Sequence, residues 1–191
     1  MATVCKGNKA ALVIVDVQVG VMRDAWDAAR VIGNVARAVE RARAERIPVI
    51  WVQHSDQELP KESPAWQWVP ELVPAEGEHC VHKQFNSSFE QTSLQRELAA
   101  LGVSHIVLAG AATNWCVRAT AYGALERGYD VTLLSDAHTT ETIQVERGVT
   151  IEAADVVQEL NITMQWLAYP GRKSGIAPAE HVNFALPGGV Q

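Results

Sequence analysis

Short apolar runs, each ending in a polar residue or glycine and each separated from the next by a longer polar or amphipathic stretch, set the limits on this chain. Lys9–Val15 (KAALVIV) stops at Asp16, Ile47–Gln53 (IPVIWVQ) at His54, Ile106–Ala109 at Gly110, and Tyr129–Leu134 leads to Asp136. Continuous apolar runs this short read as strands buried on both faces, the mark of a parallel sheet. Pro48 falls near the start of its run, where a missing N–H is tolerated. Helices lie between. Ala28–Arg46 places Val31, Ile32, Val35, Val39 and Ala42 on one face and Arg30, Arg37, Glu40, Arg41 and Arg43 on the other. Ser93–Leu101 turns Leu94, Leu98 and Leu101 inward and stops at Gly102. Strand and helix in alternation predict a three-layer α/β/α fold with right-handed crossovers. The sheet is expected to be mostly parallel and doubly wound (Rossmann-like), with about six strands.

The remaining elements are a short strand at Cys80–Val81 ending near Lys83 and a helix from about Asn114 to Gly128. A helix is expected from about Thr140, interrupted near Gly148, then a second helical stretch at Glu152–Leu167 and a short last strand at His181–Phe184. His54–His82 is long, broken by prolines and carries Trp66 and Trp68, and a connection of that kind inside a compact domain is usually functional or a lid.

At 191 residues the chain suits a single domain, 1–191, with one well-buried core. The net charge of −6, with no basic stripe, argues against a nucleic-acid partner. No apolar run approaches the roughly 20 residues of a membrane span, and the opening apolar stretch reads as a core strand rather than a leader. Cys5, Cys80 and Cys116 lie far apart with no CxxC pair, which fits neither a disulfide framework nor a zinc site and points to a reducing, cytoplasmic setting.

In sheets of this kind ligands bind beyond the carboxyl ends of the strands. Asp16, Lys83 and Cys116 each lie just past a different apolar run, so the fold is expected to bring an acid, an amine and a thiol to one edge. Each taken singly has a second reading: Asp16 as a loop cap, Cys116 as a small core hydrophobe. A thiol in the first turn of a helix also meets unpaired N–H groups and the positive end of the helix dipole, which favours thiolate.

Leu12–Gln18 (LVIVDVQ), Lys83–Thr92 (KQFNSSFEQT), Gly110–Val117 (GAATNWCV) and Gly128–Ala137 (GYDVTLLSDA), in this order, resemble the isochorismatase-like cysteine hydrolases, a family that includes nicotinamidases, N-carbamoylsarcosine amidase and streptothricin hydrolase. The resemblance implies that Cys116 attacks a carbonyl carbon, Asp16 takes and returns the proton, and Lys83 holds the pair electrostatically. It also implies a cis peptide at Ala111–Ala112, which aims the amides of Ala112 and Cys116 at a developing oxyanion. No cofactor is expected, and the partners are a small amide-type substrate and further copies of the chain. The tryptophan-bearing insertion and the Tyr169–Gln191 tail are the expected contact surfaces between copies.

Substrate contacts are assigned to Gln18, His54, Trp66, Phe89 and Trp115, the aromatic ones forming an apolar wall. Asn114 stands where many relatives carry Asp. Nicotinamidases hold a metal through an Asp-x-His pair and a further His. Here the order is reversed, His54-Ser55-Asp56, with His79 and His82 further on, and no bound metal is expected. A nucleotide-binding module is disfavoured because Gly110–Trp115 lacks both the GxGxxG and the GxxxxGK[ST] pattern. A vinyl-ether hydrolase is disfavoured by Cys116, and a metal-assisted nicotinamidase-type amidase and a non-catalytic thiol-bearing relative are the other readings.

Overall fold

In the computed structural model, which describes residues 6–185, the apolar runs form one parallel sheet of six strands. These are β1 (Lys9–Val15), β2 (Val49–His54), β3 (His79–Lys83), β4 (Val103–Ala111), β5 (Asp130–Thr139) and, after a hairpin of β6 (Ile143–Val145) and β7 (Val149–Ile151), β8 (Ser174–Ala177). The sheet order is β3-β2-β1-β4-β5-β8. From β1 the chain winds outward to β3, then returns to the other side of β1 and winds outward again. The winding therefore reverses between β1 and β4, where such folds open a crevice.

Helices α1 (Val19–Met22), α2 (Ala28–Ala44), α3 (Leu94–Ala100), α4 (Arg118–Glu126) and α5 (Ala153–Trp166) complete the chain. Alternation along β1 divides the core. Leu12 and Ile14 pack with Val31, Val35, Val39 and Ala42 of α2. Ala11, Val13 and Val15 pack with Leu94, Leu98, Ala121, Leu125, Leu160 and Met164 from α3, α4 and α5. Both faces are thus covered, as a run without polar interruption demands.

Three expectations are corrected. The segment after Thr140 is a hairpin, not a helix: Ile143 and Val145 oppose Ile151 and Val149 around Glu146–Gly148, with Gly148 at φ 77°. β-Branched residues two apart flanking a glycine favour strand pairing over a helical turn. Strand β5 does not end near Asp136 but runs on to Thr139, with an irregularity in its pairing to β4 between Leu108 and Gly110. The last strand is Ser174–Ala177, paired with Val131–Leu134, and not His181–Phe184. Val182 and Phe184 are apolar because they plug the α2 side of the core. Cys5 and the last part of the Tyr169–Gln191 tail lie outside the described residues.

Gly110 is where the two inner strands touch most closely. It pairs with Val15 at φ 124°, and a Cβ there would lie 2.0 Å from the Val15 carbonyl oxygen. Gly110→Ala should therefore cost about 3 kcal/mol or more, from left-handed backbone strain and forced separation of strands. A fall in melting temperature of about 6–12 °C is expected on that basis; an unchanged melting curve would show that β1 and β4 do not meet this closely.

Two buried histidines, His105 in β4 and His138 in β5, have their pKa lowered to about 4, chiefly because burial excludes the charged ring. Above pH 6.5 both rings are neutral whether the chain is folded or not. Between about 6.5 and 4 the unfolded chain takes up protons that the folded chain refuses, so stability falls as pH falls. Each ring is worth up to about 3 kcal/mol across that window. Urea midpoints measured at pH 7 and 4.5 should drop accordingly, and His105→Gln should flatten the dependence; equal midpoints at the two pH values would contradict it.

Candidate active site

The carboxyl ends of three strands deliver the site. Asp16 follows β1 in the left-handed backbone conformation (φ 51°), which Asp tolerates better than most residues. Lys83 is the last residue of β3. Cys116 sits past the end of β4, on a π-helical turn, Thr113–Val117, that leads directly into α4. The peptide Ala111–Ala112 between β4 and that turn is cis, and the Ala112 carbonyl accepts from both Trp115 N (3.1 Å) and Val117 N (3.1 Å).

The three side chains meet. Lys83 Nζ lies 2.6 Å from Asp16 Oδ2 and donates to Cys116 Sγ at 3.1 Å, with the Lys83 and Asp16 side chains 0% and 1% exposed. Asp16 and Cys116 thus share one ammonium, and each shifts the other's ionisation. Burial pushes the Asp16 carboxyl above the usual carboxylate range, against the pull of Lys83. Burial pulls the Lys83 ammonium down, but Asp16 and Cys116 more than offset this and leave it above its ordinary value. The thiol is pushed up to about 12, first by burial and then by the Asp16 charge. This reverses the direction expected from a helix start: exclusion of water and an adjacent carboxylate outweigh the local dipole.

The turn that carries Cys116 is anchored to β5 and α5. Thr113 Oγ1 pairs with His138 Nδ1 at 2.9 Å, His138 Nε2 pairs with Asn161 Oδ1 at 3.1 Å, and Asn161 Nδ2 donates to the Ser135 carbonyl at 2.9 Å. Thr140 Oγ1 donates to Asn114 Oδ1 at 2.6 Å. Sequence reasoning missed His138 and Asn161, since a polar residue inside a strand or helix carries no sign of its partner. For Asn114 this contact gives a local use: its amide oxygen accepts from the Thr140 hydroxyl.

The residues assigned to substrate disperse. Gln18 is fully buried, and its side-chain amide pairs with the backbone of His54 and Trp66 instead of facing a cavity. Phe89 is buried and stacked on Tyr129, with the Arg127 guanidinium over its ring. Trp66 stacks on His82, and Trp115 is 55% exposed. These aromatics build no common wall. His54 contacts Lys83 and Asp56. His79 pairs with Glu97 and His82 stacks on Trp66, and among the described residues no group of three or more His, Cys, Asp or Glu is placed to hold a metal ion.

Two cavities flank the cluster. One, of about 210 Å³, is bounded by Ser55, Lys61, His82, Lys83, Gln84 and Glu90 among others. The other, of about 220 Å³, is bounded by Gly20, Arg23, Asp24, Ala111, Ala112, Thr140 and Glu141 among others. Charged and amide side chains dominate the first, which suits a small polar ligand better than a flat apolar one, whereas the second mixes Arg23, Asp24 and Glu141 with glycine, valine and alanine.

Among the described residues no helix is long and apolar enough to cross a membrane. The isochorismatase domain family model matches residues 10–159. Streptothricin hydrolase from Streptomyces noursei is 34% identical over 140 residues, covering 70% of this chain and 50% of that protein. Maleamate amidohydrolase from Pseudomonas putida is 28% identical over 123 residues, 58% of each chain. This chain thus spans half to three-fifths of the length of these curated relatives. The crystal structure of an isochorismatase from Pseudomonas putida KT2440 superposes with a TM-score of 0.79 at 28% identity, covering 90% of this chain and 88% of that one. With the match extending from β1 into α5 and the same fold in a solved relative, this chain belongs to the isochorismatase family.

Proposed function

We propose that this chain is a cysteine hydrolase that cleaves the C–N bond of a small amide, carbamoyl compound or lactam through a thioester on Cys116. The observation that carries the reading is the buried Lys83 ammonium seated against the Asp16 carboxylate and the Cys116 sulfur together. The names of the streptothricin hydrolase and maleamate amidohydrolase relatives support the amide class.

The steps balance within the cluster. Asp16 takes the thiol proton as Sγ bonds to the carbonyl carbon, with the amides of Ala112 and Cys116 receiving the oxyanion. The C–N bond then breaks as Asp16 returns that proton to the leaving nitrogen. Water attacks the thioester, Asp16 takes its proton, and the departing sulfur recovers the thiol, releasing a carboxylic acid. Lys83 stays an ammonium throughout and compensates whichever partner is negative. The reading extends to a homo-oligomer, supported by the exposed apolar side chains Val145, Val149 and Ile151 of the hairpin and Ile162 and Trp166 of α5.

Ammonia or amine release across a panel of small amides tests the activity, and mass spectrometry of quenched reactions tests the acyl adduct. Cys116→Ala should abolish both, and Lys83→Ala should lower kcat about 1,000-fold with the fold intact; turnover in Cys116→Ala, or a kcat in Lys83→Ala near that of the parent, would refute the assignment.

Asp16→Asn separates the base from the thiol. It removes the charge that, after burial, does most to hold the sulfur proton, so iodoacetamide alkylation of Cys116 should shift to lower pH by about one unit or more. Hydrolysis should nevertheless fall about 100- to 10,000-fold, since nothing is left to carry the proton. An alkylation profile that stays in place would show that Asp16 does not act on the thiol.

A further inference from the structure

An ammonium carries three N–H donors and no acceptor. Two of those on Lys83 are directed at Asp16 and Cys116; the third meets His54 Nδ1 at 3.3 Å. On the far side of the ring, His54 Nε2 lies 2.9 Å from Asp56 Oδ2. A carboxylate can only accept and an ammonium can only donate. Both contacts are therefore hydrogen bonds in one arrangement: a neutral ring with its proton on Nε2 and its Nδ1 lone pair facing Lys83.

Asp56 is itself fixed, its Oδ1 accepting from Glu58 N at 2.9 Å and Leu59 N at 2.7 Å. The backbone of His54 is gripped by Gln18: Gln18 Oε1 accepts from His54 N at 2.9 Å, and Gln18 Nε2 donates to the His54 carbonyl at 3.0 Å. A side-chain amide here imitates a neighbouring strand at the point where β2 ends. Gln18 Nε2 also donates to the Trp66 carbonyl at 2.8 Å, and Gln53 Nε2 donates to the same oxygen at 2.8 Å. The buried, fully engaged amide of Gln18 and the exposed turn at Asp56 thus converge on one imidazole.

We infer that His54 is a positioning residue for Lys83: held by Gln18 and set in the Nε2–H form by Asp56, it takes the third ammonium N–H and leaves the other two aimed at Asp16 and Cys116. This rests on the assignment of Lys83 as the electrostatic partner of the thiol, and it replaces the substrate contact expected of His54. Without an acceptor at that position the half-enclosed N–H must find water or swing the ammonium toward it, drawing Nζ away from the sulfur. A misplacement of about 1 Å in a reacting constellation can cost about 100-fold.

The test uses the full chain with Cys5 and Cys80 changed to Ser, so that Cys116 is the only thiol. His54→Leu should slow iodoacetamide alkylation of Cys116 at fixed pH by about 10-fold and lower kcat about 10- to 100-fold, with KM moving less than about 3-fold. His54→Asn, whose amide oxygen can stand in for Nδ1, should recover both to within about 3-fold of the parent. Asp56→Ala should give a smaller loss of the same kind by freeing the tautomer. The melting temperature of each variant is read alongside, and the Asn variant decides the matter if the Leu variant unfolds. Unchanged alkylation and kcat in His54→Leu, a rise in KM alone, or no recovery in His54→Asn would overturn the positioning role. Alkylation needs no substrate, so if no amide is hydrolysed by the parent chain the Lys83–His54 contact is still judged on its own.

Discussion

A buried ammonium that touches a carboxylate, a sulfur and an imidazole at once is the constraint around which the rest of this fold is arranged. Removing a charged amine from water costs several kcal/mol even in a relaxed protein interior, and the cost is recovered only if every N–H finds an acceptor in good geometry. The acceptors come from three different strand ends, β1, β2 and β4, and the amine from a fourth, β3. No local segment could assemble such a set. The parallel sheet does so because its carboxyl ends lie side by side, and the reversal of winding between β1 and β4 puts Asp16 and the Cys116 turn at the ends of adjacent strands.

Such a cluster is a poor source of stability, since apolar side chains of similar volume would serve as well or better. Its surroundings show the consequence. Gly110 gives β4 the close approach to Val15 that seats Asp16 beside the turn that carries Cys116. Thr113, His138 and Asn161 tie that turn to β5 and α5 through buried hydrogen bonds. These groups hold geometry, and the apolar layers on either side of β1 hold the fold.

Much of this was legible in the residues themselves. The run Lys9–Val15 forms the strand over the same bounds, and the sheet-edge rule brings Asp16, Lys83 and Cys116 together as expected. The cis peptide implied by the family resemblance lies at Ala111–Ala112. What escaped was tertiary. The shift of Cys116 depends on how much water reaches it and on a carboxylate a hundred residues away in sequence, so a local argument from the helix start gave the opposite sign. Gln18 looked like a substrate contact because a polar residue just past a core strand often faces the ligand; that it pairs with the backbone of His54 depends on how the end of β2 lies against it. The hairpin at Ile143–Ile151 did carry its own signal, an alternation of β-branched residues around Gly148, which a helical period overlooked.

The raised thiol and the raised carboxyl have one physical consequence for the proposed reaction. Each group resists taking a negative charge because burial makes an isolated charge costly. A proton passing from sulfur to carboxylate creates no new charge: the site holds one ammonium and one anion before and after, and Lys83 lies within reach of both positions. The transfer therefore escapes most of the penalty that each ionisation would incur against bulk water. A dry site disfavours a free-standing thiolate and still permits one at the moment a carbonyl carbon arrives to take its electrons. That logic requires the ammonium to stay equidistant in influence between the two partners, and a third, neutral acceptor on its remaining N–H is the simplest device that keeps it from drifting toward either.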